Sequence, residues 1–73
     1  MGIREVFAEN LRRLRKARGL SQEALAHAAG IDRTYVSALE RCAYSASIST
    51  VEDLAQVLRV QAYELLMPKL RAD

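Results

Sequence analysis

Residues 21–41 read SQEALAHAAGIDRTYVSALER, and this stretch decides how the chain folds. It holds two helix starts, two apolar faces and one tight bend. Ser21 is a good N-cap, because its hydroxyl can accept from the backbone N–H groups that a first helical turn leaves free. Leu20 before the cap and Leu25 at the fourth helical position can form a hydrophobic staple, which sets how the chain enters the helix. Gly30 ends that helix, since glycine takes positive φ without steric cost. Asp32 then caps a second helix, with Ile31 and Val36 as its staple.

Outward from this stretch the apolar spacing stays helical, and no run alternates like a strand. Ile3, Val6, Phe7, Leu11, Leu14 and Ala17 form one stripe on a first helix that ends at Gly19. Ser49 and Glu52 read as a capping box, followed by the apolar face Val51, Leu54, Ala55 and Leu58. A short last helix turns Leu65 and Leu66 inward, and Pro68 discourages continuation. The expectation is one all-α domain, 1–73. Its helices fall at about 3–18, 22–29, 33–41, 50–58 and 62–67, with a frayed tail, 68–73.

A chain of 73 residues, 51% of them hydrophobic, has room for one small core. Its single cysteine, Cys42, excludes an internal disulfide and fits a reducing cytoplasm. No apolar run is long enough to span a membrane. The start, MGIREVFAENLRR, is charged and periodic rather than a signal peptide, and Val6 stands where a myristoylation site needs Ser or Thr. Catalysis finds no support: no nucleophile–base pair, carboxylate pair or metal constellation is present. His27 has no second ligand at metal spacing and reads as a surface histidine. Cys42 reads as a structural or incidental thiol. Net charge is only +2, but Arg12, Arg13, Arg15, Lys16 and Arg18 crowd together. That cluster reads as a helix end favoured by the dipole, or as a patch for a polyanion.

At about 100° per residue, Arg33, Thr34, Ser37 and Arg41 share one side of the third helix. Val36 and Leu39 take the opposite side, with Tyr35 flanking them. Two short helices bent at Gly30, the second with a polar outer face, make a helix-turn-helix, which can place its second helix in a major groove. Arg33 suits guanine O6 and N7, while Thr34 and Ser37 can bond several base edges. Gln22, in the first turn of its helix, suits a phosphate oxygen. Tyr44, Ser45 and Ser47 read equally as phosphate contacts or as an ordinary loop.

Three segments, SQEALA (21–26), AGI (29–31) and YVSALER (35–41), resemble the Xre/Cro/lambda-repressor helix-turn-helix family. The likeness runs from LRRLRKARGLSQ (11–22) through STVEDLAQVLRVQAYELL (49–66). IDRTYVSALER (31–41) is also similar to the small controller proteins of restriction-modification systems. The resemblance implies a compact five-helix, homodimeric, DNA-binding regulator without cofactor. Carried onto this chain, its DNA-facing positions are Gln22, Arg33, Thr34, Ser37 and Ala38, with Tyr35 nearby and Ala38 set to touch a thymine methyl. Tyr35 stays open between the core and a backbone phosphate. The resemblance also implies an ion pair of Arg15 with Glu40, and a dimer contact after the fourth helix, for which Val60, Ala62 and Tyr63 are the candidates. Cys42 and Arg59 stand where the family usually has glycine.

The functional expectation is a homodimeric, sequence-specific regulator of double-stranded DNA that reads a palindromic operator with residues 33–41. Neither membrane nor small-molecule ligand is expected. The rival reading keeps the fold but uses it as a protein-interaction module.

Overall fold

The computed structural model describes residues 2–69. Among these residues the chain forms α1 (Ile3–Ala17), α2 (Gln22–Ala29), α3 (Arg33–Glu40), α4 (Ile48–Leu58) and α5 (Ala62–Leu66), and no strand. Of the expected tail, residues 70–73 lie outside the described range. The helices α2 and α3 pack on each other, α1 packs on α3 and α5, and α4 packs on α2 and α5. Phe7, Leu11, Leu25, Val36, Leu39, Leu54, Leu58 and Leu65 fill the space between them.

One joint recurs through the fold. Each of α1 to α4 ends in a residue with positive φ: Gly19 at 68°, Gly30 at 72°, Cys42 at 63° and Arg59 at 60°. The next residue then donates its N–H back to a carbonyl five positions earlier, as Leu20 to Arg15, Ile31 to Ala26, Ala43 to Ala38 and Val60 to Ala55. This 6→1 bond satisfies carbonyls that the helix end would otherwise leave free. Leu20, Ile31 and Val60 then serve twice. Each closes one helix, precedes the N-cap of the next, and packs on the core holding Leu25, Val36 and Leu65 at the fourth helical positions. Apolar residues at the joints thereby set the angle between successive helices.

Side-chain caps follow the sequence at two sites and depart from it at a third. Ser21 Oγ accepts from Ala24 N at 2.9 Å, and Asp32 Oδ1 accepts from Thr34 N at 2.8 Å. The cap of α4 is Ser47, not Ser49: Ser47 Oγ accepts from Thr50 N at 3.1 Å, and the helix begins at Ile48. Two serines two positions apart both satisfy the capping rule locally. Packing decides, because Ser47 puts half-buried Ala46 before the cap and buried Val51 at the fourth position. At α5, Gln61 N donates to Glu64 Oε2 at 2.7 Å, half of a capping box that the apolar pattern does not reveal.

Two stripe assignments change as well. Ile3 is 62% exposed and Ala17 is exposed, so the buried part of α1 is Val6 to Leu11, with Leu14 partly covered. Leu65 is buried, but Leu66 is 39% exposed and turns outward, since a helix of one turn and a half has only one row facing the core.

Arg59 and Cys42 hold left-handed angles that glycine adopts more readily. Arg59→Gly is expected to stabilise the chain by about 0.5–1 kcal/mol, net of the extra freedom glycine gives the unfolded chain. The Arg59 carbonyl, which accepts from Arg18 Nη2 at 3.5 Å, survives the change. Thermal melts read the effect, and a lowered midpoint would mean that the Arg59 side chain itself makes a needed contact.

Candidate nucleic-acid interface

The outer face of α3 is set by what holds its inner face. Val36 and Leu39 are fully buried, which fixes the rotation of the helix and turns Arg33, Thr34 and Arg41 to solvent. Ser37 is half-buried between them. These four side chains line a concavity of about 260 Å³. Within it, Arg41 Nε donates to Ser37 Oγ at 3.3 Å. Thr34 Oγ1 donates to Asp32 Oδ1 at 2.7 Å, and the same carboxylate oxygen caps the helix.

Those two bonds from Thr34, first the hydroxyl and then the backbone N–H, hold the Asp32 carboxyl below its ordinary pKa. Asp32 therefore favours the fold at neutral pH, and this contribution fades as pH falls through its lowered folded-state pKa.

Behind the face lies a buried ionic anchor. Glu40 is buried, and Arg15 reaches it with Nε to Oε2 at 2.7 Å and Nη2 to Oε1 at 3.0 Å. The third guanidinium nitrogen donates to the Leu20 carbonyl at 2.9 Å. Arg15 thus ties α1 to the end of α3 and to the α1–α2 joint. Bonding to Glu40 raises the Arg15 pKa above its ordinary value, against the opposing effect of burial. Gln22 Nε2 joins the same carboxylate at 3.1 Å. One amide hydrogen of Gln22 is so engaged, and its second remains for another acceptor.

The remaining predicted residues fall in different places. Tyr35 is half-buried against the core, and its hydroxyl donates to the Ser45 carbonyl at 3.4 Å, bracing the loop that follows α3. Ala38 is only 4% exposed and has almost no surface to offer a thymine methyl. That part of the expected contact set does not fit the burial of Ala38. Val60 is half-buried, while Ala62 and Tyr63 are exposed on α5, away from α3. His27 is exposed, and among the described residues no group of ligating side chains could hold a metal ion.

The basic cluster divides by partner. Arg15 holds Glu40, Arg13 Nη2 donates to Asn10 Oδ1 at 3.0 Å, and Arg18 Nε donates to the Leu58 carbonyl at 2.8 Å. Much of the cluster is therefore structural. Asn10 went unnoticed in the sequence, yet it is buried and its Nδ2 donates to the carbonyls of Leu65 at 2.9 Å and Met67 at 2.7 Å. Its only signal is position, for it lies three residues after Phe7 and four before Leu14, within the core stripe.

With this geometry in place, comparison with known proteins gives a consistent result. The family described as Helix-turn-helix (HTH_3) matches residues 11–65. A hypothetical transcription factor from Neisseria meningitidis serogroup B is 48% identical over 66 residues, which cover 90% of this chain and 62% of that protein. The chain thus spans less than two thirds of that relative's length. The restriction-modification controller protein C.AhdI from Aeromonas hydrophila has a crystal structure that superposes with TM-score 0.82 at 42% identity, covering 85% of this chain and 94% of that one. SinR, a master regulator for biofilm formation solved in complex with DNA, superposes with TM-score 0.81 at 32% identity, covering 84% of this chain and 98% of that one. The chain belongs to the helix-turn-helix family HTH_3.

Proposed function

We propose that the chain is a sequence-specific, homodimeric DNA-binding regulator of the cytoplasm, which lays α3 in the major groove of a palindromic operator. The observation that carries this reading is the outer face of α3. Two exposed arginines and two hydroxyl side chains converge there on a helix whose other side is locked into the core. The DNA complex of SinR, on a similar fold, supports it. Gln22 sits at the first turn of α2, where a phosphate oxygen meets free N–H groups and the positive end of the helix dipole. Arg33, Thr34, Ser37 and Arg41 then face the bases, and Tyr35 holds the adjoining loop in place.

Fluorescence anisotropy with duplex DNA tests this directly. Log affinity should fall steeply with log salt, as counterions are released from phosphates. A chain used only as a protein-interaction module would show no such slope. Arg33→Ala is expected to cost about 1–3 kcal/mol on the operator and far less on unrelated DNA. Gln22→Ala should weaken both alike. Equal losses for Arg33→Ala on the two DNAs would make Arg33 a phosphate contact.

A further inference from the structure

The last helix ends differently from those before it. Each of α1 to α4 closes on a residue with positive φ and a backbone bond back into the helix. α5 closes on Met67, whose backbone is extended, with φ −95° and ψ 133°. Carbonyls at this end are met from the far side of the fold. Asn10, in the middle of α1, donates from Nδ2 to the Leu65 carbonyl at 2.9 Å and to the Met67 carbonyl at 2.7 Å. Arg13 Nη2 donates to Asn10 Oδ1 at 3.0 Å. The amide therefore has one orientation, since only its nitrogen can face carbonyls and only its oxygen a guanidinium. Asn10 is 1% exposed. Asparagine suits neither a helix interior nor a core unless buried partners require it, and here both amide protons are spent on α5 and its end.

A helix of five residues does not hold itself together in water. α5 is held by Leu65 in the core, by the Glu64 carboxylate at its start and by Asn10 at its end. Ala62, Tyr63 and Leu66, and Met67 after them, stay exposed. We propose that Asn10 is the positioning residue of the pairing surface: it caps α5 from α1 and so sets where this apolar side lies. The inference rests on the reading of the chain as a homodimer that pairs through α5. Five residues further along α1, Arg15 holds Glu40 at the end of α3. One helix thus places both the pairing surface and the recognition helix, and with them the spacing of the two recognition helices in a dimer.

Asn10→Leu keeps the branched shape of the side chain and removes both donors. In the 73-residue chain it should raise the dimer dissociation constant, read by sedimentation equilibrium, at least about tenfold. Amide hydrogen exchange separates this role from a merely structural one. Protection should fall in residues 62–67 and hold in α1 to α4. An unchanged dissociation constant, or protection lost equally in all five helices, overturns the inference. The parent chain gives a second reading that needs no variant. Its Asn10 Nδ2 protons should exchange more slowly as concentration rises through the dimer dissociation constant, in step with the α5 amides. Exchange indifferent to concentration while dimers form would overturn the inference and leave the dimer standing. A parent that stays monomeric at every concentration and on palindromic DNA would overturn the dimer reading, and the inference with it.

Discussion

Arg15→Met is expected to lower the folding free energy by about 3–5 kcal/mol, because it leaves a buried carboxylate without its main partner. Glu40 is only 5% exposed, and Arg15 supplies two of the three side-chain donors that reach it. Gln22 alone remains, with one neutral bond of 3.1 Å. Methionine keeps much of the volume of the arginine stem, so the loss reflects charge and hydrogen bonding rather than a cavity. The Leu20 carbonyl also loses its donor at the joint between α1 and α2. For a domain this small, each kcal/mol is worth about 4–8 °C, so the thermal midpoint should drop by more than about 10 °C. The double variant Arg15→Met with Glu40→Met should recover most of that, since an intact buried pair contributes little over an apolar replacement. A midpoint for the single variant within a few degrees of the parent would show that water reaches Glu40 and the anchor is not a buried one.

Local rules made most of the fold legible. Ser21, Gly30 and Asp32 mark the α2–α3 unit by capping and backbone chemistry alone, and the core leucines follow from helical spacing. What local rules could not resolve was any choice made by distant packing. Ser47 and Ser49 are equivalent caps until Ala46 and Val51 meet the core. Thr34 and Ala38 are neighbours on the wheel, and only the packing of α3 buries one and leaves the other at the surface. Asn10 is a polar residue in a core stripe, and its partners are carbonyls more than fifty positions away. Arg59 and Cys42 are the opposite case. Family likeness marks them as glycine positions, and both do hold positive φ despite their side chains. The 6→1 bonds from Val60 and Ala43 stabilise those ends, so the geometry of the joint outlasts the residue that suits it best.

Tyr63→Arg is expected to turn dimers into monomers and to weaken operator binding by at least about a hundredfold, with helical content unchanged. The reasoning starts from size. A recognition helix of eight residues is about 12 Å long and can touch only a few base pairs. So few contacts do not single out one site in a genome. Two copies about a twofold axis would read both halves of a palindrome, with recognition helices about 34 Å apart, and the second half-site would bind at high effective concentration. The pairing surface has to leave α3 free. The helix α5 meets that need, since it packs on α1 and α4 and carries Ala62, Tyr63, Leu66 and Met67 on its solvent side. Tyr63 is 61% exposed, an apolar face on a short helix that the described residues leave uncovered. Leu66 lies one turn on from Ala62, so the exposed apolar residues run along the solvent side of α5, which half-buried Val60 precedes. Arginine at position 63 would place a charge on that side in both copies, adding desolvation to like-charge repulsion. The core should not notice, because Leu65 and not Tyr63 anchors α5. Sedimentation of the parent chain and the variant, alone and on operator DNA, decides the matter. A parent that stays monomeric on a palindromic site, or a variant that still dimerises, would move the interface elsewhere on the molecule.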